Sequence, residues 1–127
     1  MHDRILYEYA VIRVVPRVER EEFVNIGLIL FCKYRKYLRL ELLVHEQKIT
    51  SICPTFDIDQ LKENLKALDV VCQKPKYTGR LDDMDLGEKF RFITAVKSSV
   101  LQTSRPHPGY STDLDQTFER LFDELVK

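Results

Sequence analysis

The chain has 127 residues, 44% of them hydrophobic and 31% charged, and its twenty basic residues cancel its twenty acidic ones. That length holds one core of ordinary size and not two, so a single domain over residues 1–127 is expected. The balance excludes a disordered polyelectrolyte, and it argues against nucleic acid as a partner unless a local basic patch says otherwise.

Residues 6–15, "LYEYAVIRVV", are rich in β-branched and aromatic types and stop at Pro16, as a strand does. After the polar "RVEREE" comes a second run of that kind, "FVNIGLILFC", and the two predict a hairpin. In "KYLRLELLVHE", Leu38, Leu40, Leu42 and Val44 alternate with Tyr37, Arg39 and Glu41, the pattern of a half-buried third strand. The stretch "FDIDQLKENLKALDVVC" repeats Ile58, Leu61, Leu65, Leu68 and Cys72 at helical spacing, with Asp57 placed to cap the first amides. A loop is expected over 73–83, where Pro75 and Gly79 fall. "LGEKFRFITAVKSSVLQTS" fits a helix to about Ala95 and then a strand from about Ser99 to Thr103. Leu114, Phe118, Leu121, Phe122 and Leu125 mark one face of a terminal helix, with Thr112 and Asp115 at capping-box spacing. The expected architecture is α+β: an antiparallel sheet, made of an N-terminal three-stranded meander plus a later strand, covered by about three helices.

Cys32, Cys53 and Cys72 are odd in number, widely spaced and form no Cys-x-x-Cys pair, which points to a reducing compartment. Cys53 beside Pro54 and Cys72 on an apolar helix face read as buried, inert thiols. The start "MHDRILYEY" lacks the order of a signal peptide, and "IGLILFC" is too short to span a bilayer. A cytoplasmic protein without membrane contact is expected. His2, His45 and His107 are too few for a histidine-rich metal site, no cofactor motif is present, and the phosphate-loop, paired-glycine, His-Glu-x-x-His and Gly-x-Ser-x-Gly patterns are absent.

Two places stand out chemically. In "SRPHPGYSTDLD" prolines flank His107, Gly109 permits a turn, and a helix is expected to begin near Thr112 with its amides aimed back at the loop. Such a loop can hold an anion, with Ser104 and Arg105 as donors and His107 binding an oxygen or moving a proton. The plainer reading is that Pro and Gly separate two elements and His107 is solvated. In the first hairpin a turn centred near Glu19 sets Arg13 opposite Asn25 in an apolar strand face. Either Arg13 pairs with Glu22 or another acid and Asn25 ties down the loop, or they floor a pocket where Gly27 leaves room for a ligand. The run "KYRKYLR" superficially looks like a single-strand nucleic-acid surface, and equally like a charged hairpin turn; the zero net charge favours the turn.

At these two places the sequence resembles a bacterial family known as domain of unknown function 3037. The likeness is carried by "YEYAVIRVVPRVEREEFVNIGLIL", with Arg13, Pro16, Glu22, Phe23, Asn25 and Gly27, and by "VLQTSRPHPGYSTDLDQTFERLFDELV". Residues 32–95 match no pattern. The resemblance implies a small cytosolic bacterial protein of one domain with no established activity, and a companion of a HipA-like kinase encoded nearby.

Two functions compete. One is a non-enzymatic module that binds and regulates a partner protein. The other is a small enzyme or binder of a phosphorylated ligand or nucleic acid, with His107 as acid or base, Glu22 as its orienting carboxylate, and Arg13, Arg105, Asn25 and Ser104 holding the anion. The second requires the hairpin end and the 104–109 segment to meet around one polar pocket.

Overall fold

The computed structural model describes residues 4–73, 85–95 and 100–127. Its class is α+β. Strands β1 (Ile5–Arg17), β2 (Glu22–Cys32) and β3 (Tyr37–Leu42) form the expected meander; helices α1 (Glu46–Ile52), α2 (Ile58–Gln73) and α3 (Leu86–Thr94) follow, then β4 (Leu101–Thr103), β5 (His107–Ser111) and α4 (Leu114–Leu125). The sheet is antiparallel in the order β3-β2-β1-β4, with β5 also on β1. It is therefore not one meander but a meander whose first strand takes two later strands along its free side. Most of the loop expected over 73–83, and the start of the strand expected from Ser99, lie outside the described residues.

Alternation along β1 sends two sets of side chains to two faces. Ala10, Ile12 and Val14 join Val24, Ile26, Ile29 and Phe31 under Ile49, Leu61, Leu65, Phe90 and Ile93 of the first three helices. Tyr7 and Val11 join Leu28, Leu30 and Cys32 under Phe118, Leu121 and Phe122 of α4. The sheet is thus the middle of three layers, and β1 and β2 are buried on both faces. Such strands read as near-continuous apolar runs, which is why 6–15 and 23–32 look as they do.

Four helices are present among the described residues, in line with the about three expected; the additional one is α1, seven residues long and with no side chain capping its start. Three expectations are corrected. His107–Ser111 is a strand and not a loop, and the helix after it is capped by Asp113, which accepts from Gln116 N at 3.1 Å, and not by Thr112. Cys53 and Cys72 are each only partly buried. Asp57 does cap α2, accepting from Gln60 N at 3.0 Å.

The N-terminal half of α4 is tied to β3 by polar contacts. Tyr37 Oη donates to Asp115 at 2.6 Å, and Arg39 meets Glu119 at 2.5 Å, Glu41 at 2.7 Å and Asp115 at 3.4 Å while lying over the Phe118 ring. Burial, and next the bond to Asp115, push the Tyr37 phenol from its ordinary 10 up to about 12. The folded protein thus holds that proton more tightly than the unfolded chain, so this contribution is whole below pH 10 and is lost as pH rises from 10 towards 12. In urea titrations over that window the wild type should lose stability more steeply than Tyr37→Phe; parallel curves would show that Tyr37 does not carry the docking of α4.

Candidate functional site

From Glu8 to Ile12 the β1–β2 register is regular, ending with Ile12 opposite Gly27; the next pair is Arg13 opposite Asn25, so Ile26 is one residue extra on β2. A single inserted residue reverses the alternation beyond it. Leu28 faces α4, yet Ile26 and Val24 face the other helices, and Phe23 and Asn25 come round to the α4 face beside Arg13. A second irregularity lies between Val14 and Arg17 and contains Pro16, which has no N–H to leave unpaired.

Helix α4 ends at this spot. Asn25 Nδ2 donates to Leu125 O at 2.9 Å, and His45 Nε2 to Val126 O at 2.6 Å. A carbonyl only accepts, so His45 carries its proton on Nε2. The last carbonyls of a helix have no partner within it, and here side chains from β2 and from the start of α1 supply one. Arg13 lays its guanidinium over the Phe23 ring at 4.5 Å. Phe23 is 50% exposed and Val18, in the hairpin turn, 48%. Arg13 Nε, Asn25 Oδ1 and Glu22 Oε1 are buried without a hydrogen-bond partner.

Glu22 lies one strand position from Phe23 and so belongs to the opposite face, that of Val24. It forms an ion pair with Arg20, and its Oε1 accepts no hydrogen bond. The pairing of Arg13 with Glu22 is not made. Asn25 ties down the end of α4 rather than the hairpin loop. Nor does Gly27 leave room for a ligand: a Cβ there would stand 2.6 Å from Leu42 Cδ2, so the space is filled by the neighbouring strand.

The second group lies along the other side of β1. Ser104 replaces a stretch of regular ladder: its Oγ accepts from Val11 N at 2.9 Å and its N–H donates to Val11 O at 2.8 Å, while Oγ also donates to Arg105 O at 3.2 Å. Arg105 is exposed. His107 is exposed too, paired with Tyr9, whose ring it meets at 5.3 Å; among the described residues its nitrogens make no hydrogen bond. Tyr9 and Arg13 are four residues apart on one strand, about 13 Å at about 3.3 Å per residue. The structure therefore brings Arg13 and Asn25 together, keeps Glu22 on the other face, and holds Ser104, Arg105 and His107 along a separate stretch. Gly109 has no positive φ; it is small because Tyr7 crosses it, and a Cβ would stand 2.5 Å from the Tyr7 phenol.

Neither of two concave regions is lined by any of these six residues. One is a groove of about 820 Å³ between the end of β3 and α2. The other, about 310 Å³, sets Lys33, Lys36 and Arg91 around Phe31 and Leu86 at the start of α3. The basic run 33–36 is an exposed turn; that α3 returns beside it was not legible. Cys72 keeps its proton at neutral pH, since burial, then Asp69, push its thiol up to about 12. Among the described residues no three His, Cys, Asp or Glu side chains are grouped to hold a metal ion, and no helix is long and apolar enough to cross a membrane.

Over residues 9–126 the chain matches the family described as "Protein of unknown function (DUF3037)". That span includes the middle, 32–95, for which no motif was found. No curated protein and no solved structure matches the chain.

Three substitutions separate architecture from exposed chemistry here. Gly109→Ala should cost about 1–3 kcal/mol, because Tyr7 is held in the α4 core and cannot yield freely, whereas His107→Ala should change stability by less than about 0.5 kcal/mol. Asn25→Ala should cost about 1–2 kcal/mol by leaving Leu125 O unmet. Urea midpoints of the three purified variants check this; a costly His107→Ala would mean that the imidazole is part of the frame.

Proposed function

The chain belongs to the DUF3037 family, and we propose that it works there as a partner-binding module which presents the end of its first hairpin. The observation that carries this is the pairing of unmet polar atoms with exposed apolar ones at one spot. Arg13 Nε and Asn25 Oδ1 are buried and unpartnered beside a half-exposed Phe23. Both atoms lie closed off from the surface, so what a docked partner meets first is the exposed Phe23 ring with the Arg13 guanidinium stacked on it, and it reaches Arg13 Nε or Asn25 Oδ1 only as those side chains turn outward. An arginine stacked on an aromatic ring, at the rim of a folded scaffold, is also the composition of an interface hot spot.

A catalytic reading finds less support. An imidazole that moves protons needs an orienting partner within hydrogen-bond reach, and His107 has the face of Tyr9 instead. The partner we propose is a HipA-like kinase, the companion implied by the family resemblance, with this chain as its regulator.

The test is co-expression with a HipA-like kinase encoded beside this chain, followed by size-exclusion chromatography and calorimetry. A complex should form, and Phe23→Ser and Arg13→Ala should each weaken it by about tenfold or more, the effect of losing a hot-spot side chain. His107→Ala should leave it unchanged. No complex, or one indifferent to both hairpin variants, overturns the reading.

A further inference from the structure

Strand β3 forms one border of the sheet. Leu43 N donates inward to Ile26 O at 2.7 Å, and the register with β2 is unbroken from Tyr37 to Leu42. Tyr37, Arg39 and Glu41 therefore turn their backbone groups to β2, and Leu38, Leu40 and Leu42 turn theirs outward. Among the described residues nothing pairs with that outward row. The opposite border is blunted, since β4 has only three residues and Pro106 and Pro108 interrupt the donors around β5. β3 has six residues, no proline, and every outward donor in place.

We propose that the occupant of this edge is a second copy of the same chain, β3 pairing antiparallel with β3 about a two-fold axis at Leu40. The sequence around the axis, Leu38-Arg39-Leu40-Glu41-Leu42, is its own complement. With Leu40 opposite Leu40, each Arg39 faces the other copy's Glu41 on the α4 side, and each Leu38 faces the other copy's Leu42 on the side of α2. The outward backbone row permits only registers displaced by whole pairs, and the nearest two put Arg39 against Arg39 or Glu41 against Glu41. Like charges directly opposite are destabilising, so charge favours the Leu40 register over its two nearest neighbours, and it is the register that sets Arg39 against Glu41.

The fit continues past the strand ends. In this register Lys36 of one copy stands beside Val44 of the other, and Val44 lines the groove that α2 borders with Asp57, Asp59, Glu63 and Asp69 together with Lys62 and Lys66. The exposed turn of Lys33, Arg35 and Lys36 thus approaches a wall in which carboxylates outnumber lysines, at both ends of the axis. Within one chain Arg39 is shared among Glu41, Asp115 and Glu119; the second copy brings Glu41 another guanidinium. An interface of this kind is isologous and closes at two subunits.

The experiment is sedimentation equilibrium of the full chain without any partner, from about 1 μM to about 1 mM, the range of small interfaces. The mass should rise from the 15.0 kDa of one chain towards twice that value. Glu41→Lys, which sets a lysine against Arg39, should weaken association by about tenfold or more, with the melting temperature followed to confirm folding. Hydrogen exchange on the wild type gives a reading that needs no variant: the amides of Leu38, Leu40 and Leu42 should become protected as concentration rises. A chain that stays at 15.0 kDa throughout overturns the proposal and leaves the edge to a different strand. So does a dimer in which those three amides exchange freely, because its contact lies elsewhere. Kinase binding through Phe23 can fail or succeed independently of either result.

Discussion

The second side of β1 decides where the rest of the chain can go. Once β2 has paired along one side from Glu8 to Arg17, the row of donors and acceptors at Tyr9, Val11, Arg13 and Val15 remains, in a strand buried on both faces where water cannot serve them. Val100, β4, Ser104 and β5 meet that row in turn: Val15 N donates to Val100 O, Arg13 faces Gln102, Val11 bonds to Ser104 and Tyr9 faces His107. The row is complete only because Ser104 lends a hydroxyl where the chain passes from one short strand to the next. With β5 fixed antiparallel to β1, α4 starts near the Ile5 end and runs back over the sheet towards the hairpin.

That path explains why the hairpin end is polar. A helix of twelve residues is about 18 Å long, shorter than the sheet it covers, so its negative C-terminal end and its unpaired carbonyls arrive over β2 partway along. Something must meet those carbonyls. The extra residue Ile26 does two jobs at once: its own side chain stays in the core with Val24, and the reversal it causes delivers Asn25 to Leu125 O. The same reversal leaves Phe23 outside the cover of α4, with Arg13 over it as a partial shield. A structural necessity and an exposed aromatic surface therefore share one cause, and the unpaired atoms Arg13 Nε and Asn25 Oδ1 mark what that solution left unmet within the chain.

Much of this frame was legible from patterns of two and of 3.6. The alternation of Leu38, Leu40 and Leu42 places those residues on the face covered by α1, α2 and α3, and the apolar positions of 58–72 lie against the sheet. Arg13 opposite Asn25 was legible as well, though for a local reason: the register inferred from a turn at Glu19 holds only between the two irregularities, and Glu8 to Ile12 follow another. What could not be read were features whose cause is distant in sequence. Gly109 and Gly27 look like turn or ligand glycines, yet each makes way for a side chain on a neighbouring strand, Tyr7 or Leu42. Proline and glycine density made 107–111 look like loop, because an edge strand tolerates residues that a central strand does not. Helix α1 lacks both length and a side-chain cap; His45 at its start serves Val126 O instead.

The two borders of the sheet close the reasoning. A border strand with free donors and acceptors invites pairing, and natural sheets blunt it with prolines, charge or brevity. The β4–β5 border uses proline and brevity. At β3 the charges are present but arranged as opposite signs flanking Leu40, which repels misaligned copies of the strand and accepts the one register that cancels them. A blunting device would place the same sign at both positions. The choice of Arg39 and Glu41 two residues apart, on a strand whose outward backbone is intact, therefore reads as selection for a particular strand and not as defence against all of them.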